Sequence, residues 1–258
     1  MPALGYREAV KPIDTVSLRG VPLRIREPWR RPDGPRAPAV LFFPGLTASK
    51  ETQDKEASSL MENGMAAVVV DPPHHGARRS SVLDEMAQAS GDHAHRILMR
   101  LVSEAVSEVP ALVDELVARG HPKVAVGGIS MGAFIALAAA VAEPRLAAIV
   151  SILGSPDFTP RSGNVPDDLR DAVERGPSRQ LERFPPRPLL LVNAGRDDRV
   201  PPEPARRFHD ALRPLYTGRE GQLVYREYPE SGHFVREDDW RDLWQNVLTF
   251  LRAALTAP

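Results

Sequence analysis

Short apolar runs and longer amphipathic runs alternate along most of this chain. This alternation limits the possible folds more than any other feature of the sequence. The apolar runs lie at 38–45, 65–71, 123–128, 146–153, 188–195 and 222–228, and runs with helical spacing lie at 50–63, 93–119, 131–142, 203–213 and 238–254. Each apolar run is typical of a strand buried on both faces of a parallel sheet. Strands and helices in alternation form βαβ units with right-handed crossovers. The sequence therefore predicts an α/β fold with a mostly parallel central sheet and helices on both faces.

Composition and charge limit the number of domains and the kinds of binding partner that we expect. The 258 residues are 42% hydrophobic and 26% charged, enough to bury a sizeable core, so we expect a single domain over 1–258. The formal net charge is -1 and no basic block is present, so nucleic acid and membrane surfaces are not expected as partners. The chain has no cysteine, which excludes disulfides, thiol catalysis and cysteine-bound metal.

The beginning of the chain bears on the compartment. It lacks the basic start and apolar core of a secretory signal, and no apolar stretch reaches the roughly 18 residues of a membrane span. We therefore expect a cytoplasmic protein. Nothing in the sequence indicates its oligomeric state.

Residues 154–187 interrupt the alternation of apolar and amphipathic runs. They follow the apolar run at 146–153 and are rich in proline, glycine and charge, with room for one or two short helices. Long insertions near the ends of parallel strands often cover a binding site. The segment is therefore predicted to be a small lid or cap within the domain; the alternative is a solvated surface excursion with no role.

A serine between glycines marks the end of the third apolar run. The motif GGISMG, residues 127–132, places Ser130 where a strand changes into a helix. This is the context that a G-x-S-x-G nucleophile elbow requires. The alternative is packing alone, since glycine lets a helix and a strand approach closely.

A serine hydroxyl needs a base to act as a nucleophile at neutral pH, and that base is usually a histidine oriented by a carboxylate. Asp197 and Asp198 follow the fifth apolar run, and His233 lies in a turn beyond the sixth. Taken alone, each aspartate is typical of a helix cap and the histidine is typical of a loop. Together, the order serine, aspartate, histidine at the ends of strands indicates nucleophilic catalysis.

Four motifs from about residue 38 onwards resemble those of the α/β-hydrolase superfamily, in particular small bacterial serine esterases of the prolyl-oligopeptidase and dienelactone-hydrolase-like branch. They are PGLTASKE (44–51), DPPHHGARR (71–79), GGISMG (127–132) and GHFVREDDWRDLWQNVLTFL (232–251). Pro44 departs from the pattern, because the family usually has histidine there. The resemblance implies an α/β-hydrolase fold without a cofactor, and an oxyanion hole formed by the backbone N–H groups of Leu46 and Met131.

Two readings of the aspartate segment compete. Counting forward from Gly195 selects Asp198, whereas counting back from Pro201 selects Asp197. The segment VNAGRDDRVP matches the family form without a gap when Asp197 is the triad carboxylate. Asp198 is then left to cap the next helix or to contact solvent.

Four residues are assigned to the substrate pocket: His75, Ile129 and Phe234, which lie within these motifs, and Phe158, which lies in the insertion 154–187. No metal is expected. His74 and His75 are adjacent, and adjacent ligands rarely close a site alone, while His93 and His95 lack a carboxylate at metal-binding spacing.

The function predicted from these residues is hydrolysis of carboxylic esters with small or medium acyl groups. Ser130 would attack a small-molecule ester, His233 would transfer the proton, and Asp197 would orient the imidazole. One alternative is a hydrolase of small amides or peptides. The other is a non-catalytic binding module built on the same fold.

Overall fold

The computed structural model describes residues 14–31 and 33–256. Over these residues the strands are β1 (Asp14–Leu18), β2 (Val21–Arg26), β3 (Ala39–Phe43), β4 (Ala66–Val70), β5 (Val124–Ile129), β6 (Ile149–Ile152), β7 (Leu189–Ala194) and β8 (Leu223–Tyr228). They form one sheet in the order β1-β2-β4-β3-β5-β6-β7-β8. All six strands predicted from the apolar runs are present.

The sheet is mostly parallel, as predicted. The pairings from β4 through β3, β5, β6 and β7 to β8 are parallel, whereas β2 pairs antiparallel with both β1 and β4. The antiparallel pair at the edge was not predicted. Apolar and polar residues alternate only weakly in these two strands, because residues near the edge of a sheet are buried less completely than those in its centre.

Seven α-helices flank the strands over the described residues: α1 (Asp54–Glu62), α2 (Val82–Gln88), α3 (Gly91–Ala118), α4 (Met131–Ala142), α5 (Asp167–Glu174), α6 (Glu203–Leu212) and α7 (Glu237–Thr256). The five predicted helical segments are confirmed, and a short 3-10 helix, Lys50–Gln53, precedes α1. No helix formed by these residues combines the length and apolar character that a membrane crossing requires.

The core lies in two layers, one on each face of the sheet. Leu41 and Phe43 of β3 point into the layer that includes α3 and α4, whereas Val40 and Phe42 point into the layer that includes α1 and α7. This alternation is the two-residue period of a strand. Because both faces are covered, every residue of β3, β4 and β7 is buried.

The segment 154–187 packs closely onto one of these layers. It contains α5 and two short 3-10 helices, and its apolar side chains Phe158, Leu169, Val173 and Phe184 belong to the core layer of α3 and α4. A lid function for this segment stays a prediction.

Removing the Phe42 ring should test the layer beneath α7. Phe42 is buried and meets Trp244 edge to face, with ring centroids 5.8 Å apart. We expect Phe42→Ala to lower the free energy of unfolding by about 3–5 kcal/mol, because a large buried ring leaves a cavity. Urea unfolding measures the loss. Phe234→Ala is the matched control, since Phe234 is 79% exposed; an equal loss in both variants would contradict the assignment.

Candidate active site

Ser130 occupies a strained turn between β5 and α4. Its backbone has φ 54 and ψ -118, a region that non-glycine residues enter only when the surrounding structure enforces it. The Ser130 N–H donates to the carbonyl of Ile152 at 2.8 Å, and the Ser130 carbonyl accepts from the N–H of Ala133 at 2.8 Å. Neighbouring β6 and the first turn of α4 therefore hold the serine in place.

The glycines on either side of Ser130 are required by close packing. A Cβ atom at Gly128 would lie 2.2 Å from the carbonyl oxygen of Gly132, and one at Gly132 would lie 2.0 Å from the carbonyl oxygen of Phe43. No larger residue fits either position unless the backbone moves. The motif thus lets the start of α4 contact both its own strand and the end of β3.

His233 and Asp197 complete a chain of contacts with Ser130. The Ser130 hydroxyl lies 3.0 Å from His233 Nε2, although the two residues are 103 positions apart. The Nδ1 of His233 lies 2.8 Å from Asp197 Oδ2. With the ring proton on Nδ1, the imidazole donates to Asp197 and accepts from Ser130. The structure therefore brings together the three residues that the sequence singled out.

Asp197 is the aspartate that faces the histidine. Its side chain is fully buried, and its second oxygen, Oδ1, accepts from the N–H groups of Arg199 at 3.0 Å and Val200 at 2.8 Å. Asp198 is exposed, and α6 has no side-chain cap. Of the two roles left open for Asp198, a helix cap or contact with solvent, the structure shows contact with solvent.

The loop after β3 lies directly beside the nucleophile turn. A Cβ built at Gly45 would lie 3.7 Å from Ser130 Cβ, and the Gly45 carbonyl accepts from Ala48 N–H at 3.1 Å in a tight turn. Within residues 14–31 and 33–256, the N–H groups of Leu46 and Met131 have no acceptor. Both N–H groups are therefore available to donate to a ligand, and the oxyanion hole that the resemblance implied for them stays a prediction.

A buried ion pair lies where this loop ends. Lys50 Nζ is 2.6 Å from Asp71 Oδ2, and the side chains are 4% and 0% exposed. Although burial disfavours the charged amine, hydrogen bonds and charge attraction to Asp71 and Glu51 raise the pKa of Lys50 above its usual value. Neither residue was assigned a role from the sequence, although Lys50 lies in the motif PGLTASKE and Asp71 in DPPHHGARR, each shortly after a buried strand.

Three of the predicted pocket residues differ in exposure and in their contact with the triad. Ile129 immediately precedes Ser130 and is partly exposed. Phe234 is 79% exposed, and its ring meets that of His233 edge to face, with centroids 6.0 Å apart. His75 is fully buried; its Nδ1 donates to the carbonyl of Pro73 at 2.8 Å, and burial lowers the pKa of its imidazole.

Phe158, the fourth of these residues, is a core side chain. Its ring is 5% exposed and stacks on that of Phe134, with centroids 5.9 Å apart. Phe158 also lines a groove of about 860 Å³ between α3, α4 and α5, and neither Ser130 nor His233 lines that groove. The ring does not form an exposed wall at the nucleophile, because its segment folds back into the core.

The remaining histidines have protein partners. His74 bonds to Ser80 at 2.6 Å and to Glu104 at 2.8 Å, and His95 bonds to the carbonyl of Phe158 at 2.8 Å. Across the part of the chain that the structure describes, no three His, Asp or Glu residues are grouped so that they could hold a metal ion.

Comparison with known proteins agrees with this architecture. The crystal structure of TT1662 from Thermus thermophilus matches with a TM-score of 0.77 at 24% sequence identity, covering 96% of this chain and 99% of that one. At this identity the likeness shows the fold, and the fold is that of the α/β-hydrolases.

Residues 52–257 match the prolyl oligopeptidase family. The chain is 29% identical to esterase YjfP of Escherichia coli (strain K12) over 250 residues, which cover 86% of this chain and 92% of that protein. It is 28% identical over 224 residues to YitV of Bacillus subtilis (strain 168), named as a candidate esterase, covering 78% of this chain and 81% of that protein. The chain belongs to the prolyl oligopeptidase family and is a serine hydrolase.

The close approach at Gly132 yields a direct test. We expect Gly132→Ala to lower the free energy of unfolding by about 1–3 kcal/mol or more, because the new methyl group collides with the end of β3. Denaturant unfolding followed by circular dichroism measures the loss. Gly221→Ala is the control, since nothing lies within 4 Å of a Cβ there. Equal stability of the two variants would refute the packing argument.

Proposed function

We propose that this protein hydrolyses carboxylic esters with small or medium acyl groups, with Ser130 as the nucleophile. The observation that carries the proposal is the continuous chain from the Ser130 hydroxyl through His233 to the buried Asp197 carboxylate. A positioned base and a carboxylate that fixes its tautomer are what a serine needs to attack a carbonyl.

The reaction follows from this arrangement. Ser130 Oγ attacks the ester carbonyl while its proton passes to His233 Nε2, and the tetrahedral oxyanion is met by the N–H groups of Leu46 and Met131. The intermediate collapses, the C–O bond of the leaving alcohol breaks, and His233 returns the proton to that alcohol. Water then attacks the acyl-enzyme with His233 as the base, releasing the acid and restoring Ser130.

Two alternatives to ester hydrolysis are hydrolysis of small amides or peptides and a non-catalytic binding role. The relatives named as esterases align over most of their length, which favours esters, whereas the family also includes peptidases by name, which keeps small amides as the second candidate. A panel of p-nitrophenyl esters and aminoacyl anilides distinguishes the two. Labelling by a fluorophosphonate probe distinguishes either enzyme from a binding module, because an inert module does not react.

Replacing the nucleophile gives the primary test. We expect Ser130→Ala to lose hydrolysis of p-nitrophenyl butyrate by at least about 10³-fold, because the residual rate comes only from binding and the oxyanion donors. Its melting temperature should equal or exceed that of the wild type, since the strained turn carries a smaller side chain. A Ser130→Ala protein that keeps most of its turnover would contradict the assignment.

Asp197 and Asp198 form a built-in matched pair. We expect Asp197→Asn to lower kcat by about 10⁴, because an amide no longer holds the productive histidine tautomer. The kcat of Asp198→Asn should remain within about threefold of the wild-type value, because Asp198 is exposed and caps no helix, and substitutions at such surface positions have small effects. Steady-state kinetics on one ester decides between them; inactivity of the Asp198 variant with an active Asp197 variant would move the triad by one residue.

A further inference from the structure

Asp71 is a buried carboxylate that connects the loop after β3 with the turn after β4. It directly follows β4 and is completely buried. Its Oδ1 accepts from the backbone N–H of Lys50 at 2.9 Å, while its Oδ2 accepts from Lys50 Nζ at 2.6 Å and from the N–H of Ala77 at 2.9 Å. The carboxylate therefore holds the loop after β3 and the turn after β4 in one position.

The turn after β4 is shaped around this carboxylate. Gly76 has φ 52, and a Cβ atom there would lie 2.1 Å from Asp71 Oδ1. The backbone of the turn thus packs directly onto the charged oxygen, where only glycine fits. Such close packing leaves Asp71 no alternative position, so its two bonds to Lys50 fix the lysine as well.

The segment held by Lys50 is the one that carries the Leu46 donor. This segment is fixed at one end by β3, which pairs with both β4 and β5, and at the other end by the double contact of Lys50 with Asp71. Between these ends runs the tight turn at Gly45, beside Ser130. Thr47 in this turn has φ 66, a conformation that is unfavourable for a branched residue and persists only under outside restraint.

We propose that the buried Lys50–Asp71 pair is a positioning device for catalysis: it fixes the loop so that the Leu46 N–H points at the oxyanion of the ester reaction. The inference rests on the proposed function and adds two positioning residues to it. A donor stabilises the transition state only when it is held in place before the charge develops. A loop with a free end would reorient its N–H group, and the catalytic gain would fall.

A contribution to folding stability is a poor explanation for the presence of a buried Lys50–Asp71 ion pair. Burying two charges has a desolvation penalty that often cancels their attraction, so a buried ion pair is weak evidence for a stabilising role. What the pair does provide is a single geometry, through two bonds from Lys50 to one carboxylate. A loop that carries a catalytic donor is where a fixed geometry has a measurable effect.

The test uses Lys50→Met, which keeps the aliphatic stem and removes the ammonium group. We expect kcat for p-nitrophenyl butyrate to fall by about 10- to 100-fold, less than the 10²–10³ that follows complete loss of an oxyanion donor. KM should stay within about threefold, because ground-state binding does not use the oxyanion hole. The affinity for butylboronic acid, which forms a tetrahedral adduct with the serine, should fall by the same factor as kcat.

Two controls separate positioning from stability. Lys55→Met makes the same chemical change at an exposed position of α1 and should leave all constants unchanged. Glu143→Gln weakens an ion pair of another buried carboxylate, that of Glu143 with the half-exposed Arg145 at 2.6 Å, beyond the far end of α4. It should lower the melting temperature and leave kcat unchanged. If Lys50→Met folds poorly, the double variant Lys50→Met/Asp71→Asn removes the unpaired charge and is measured in its place.

The outcomes are distinct. Loss of kcat and of boronate affinity together, with KM retained, supports the inference. A kcat within threefold of the wild type, a kcat loss without a loss of boronate affinity, or failure of both variants to fold overturns it. If the wild type hydrolyses no ester, the proposed function fails, and the same comparison is made with the rate constant of fluorophosphonate labelling. A wild type that is not labelled overturns both proposals.

Discussion

The packing of α4 against the ends of β5 and β3 is the constraint on which the rest of the site depends. At Gly128 and Gly132 the backbones approach so closely that a side chain would not fit. Ser130, between them, has a strained conformation with a positive φ. Because Gly132 touches the end of β3, the loop that leaves this strand must begin next to the serine. One close contact therefore positions both the nucleophile and the loop that carries the Leu46 N–H.

The other groups reach the serine through the architecture of the parallel sheet. Asp197 follows β7 and His233 follows β8, and the carboxyl ends of parallel strands meet at one edge. Two buried carboxylates, Asp197 and Asp71, lie on opposite sides of Ser130 in the strand order. Each accepts backbone N–H groups as well as its side-chain partner. These donors offset the loss of water and leave each carboxylate in one orientation.

Much of this arrangement is predictable from the sequence, and the failures have physical reasons. The five central strands β3 to β7 are almost fully buried and carry a continuous apolar signal, so they were found. The strands β2 and β8 have mixed burial; of these, β8 was found and β2, with its partner β1, was not. Phe158 was assigned to the pocket because its segment was predicted to lie over the active-site crevice. The segment instead buries its few apolar side chains in the core, and scattered apolar residues among prolines and charges give no periodic signal of that packing.

The sequence by itself determined the order of strands and helices, the glycine-flanked serine turn and the order serine, aspartate, histidine, because these depend on local periodicity and on residue types at strand ends. Only the tertiary structure decided which side chains meet. It paired Asp197 with His233 and left Asp198 in solvent, and it joined Lys50 to Asp71 across 21 positions. Contacts between distant segments depend on how the chain crosses over in space, and neighbouring residues that differ by one position point in different directions.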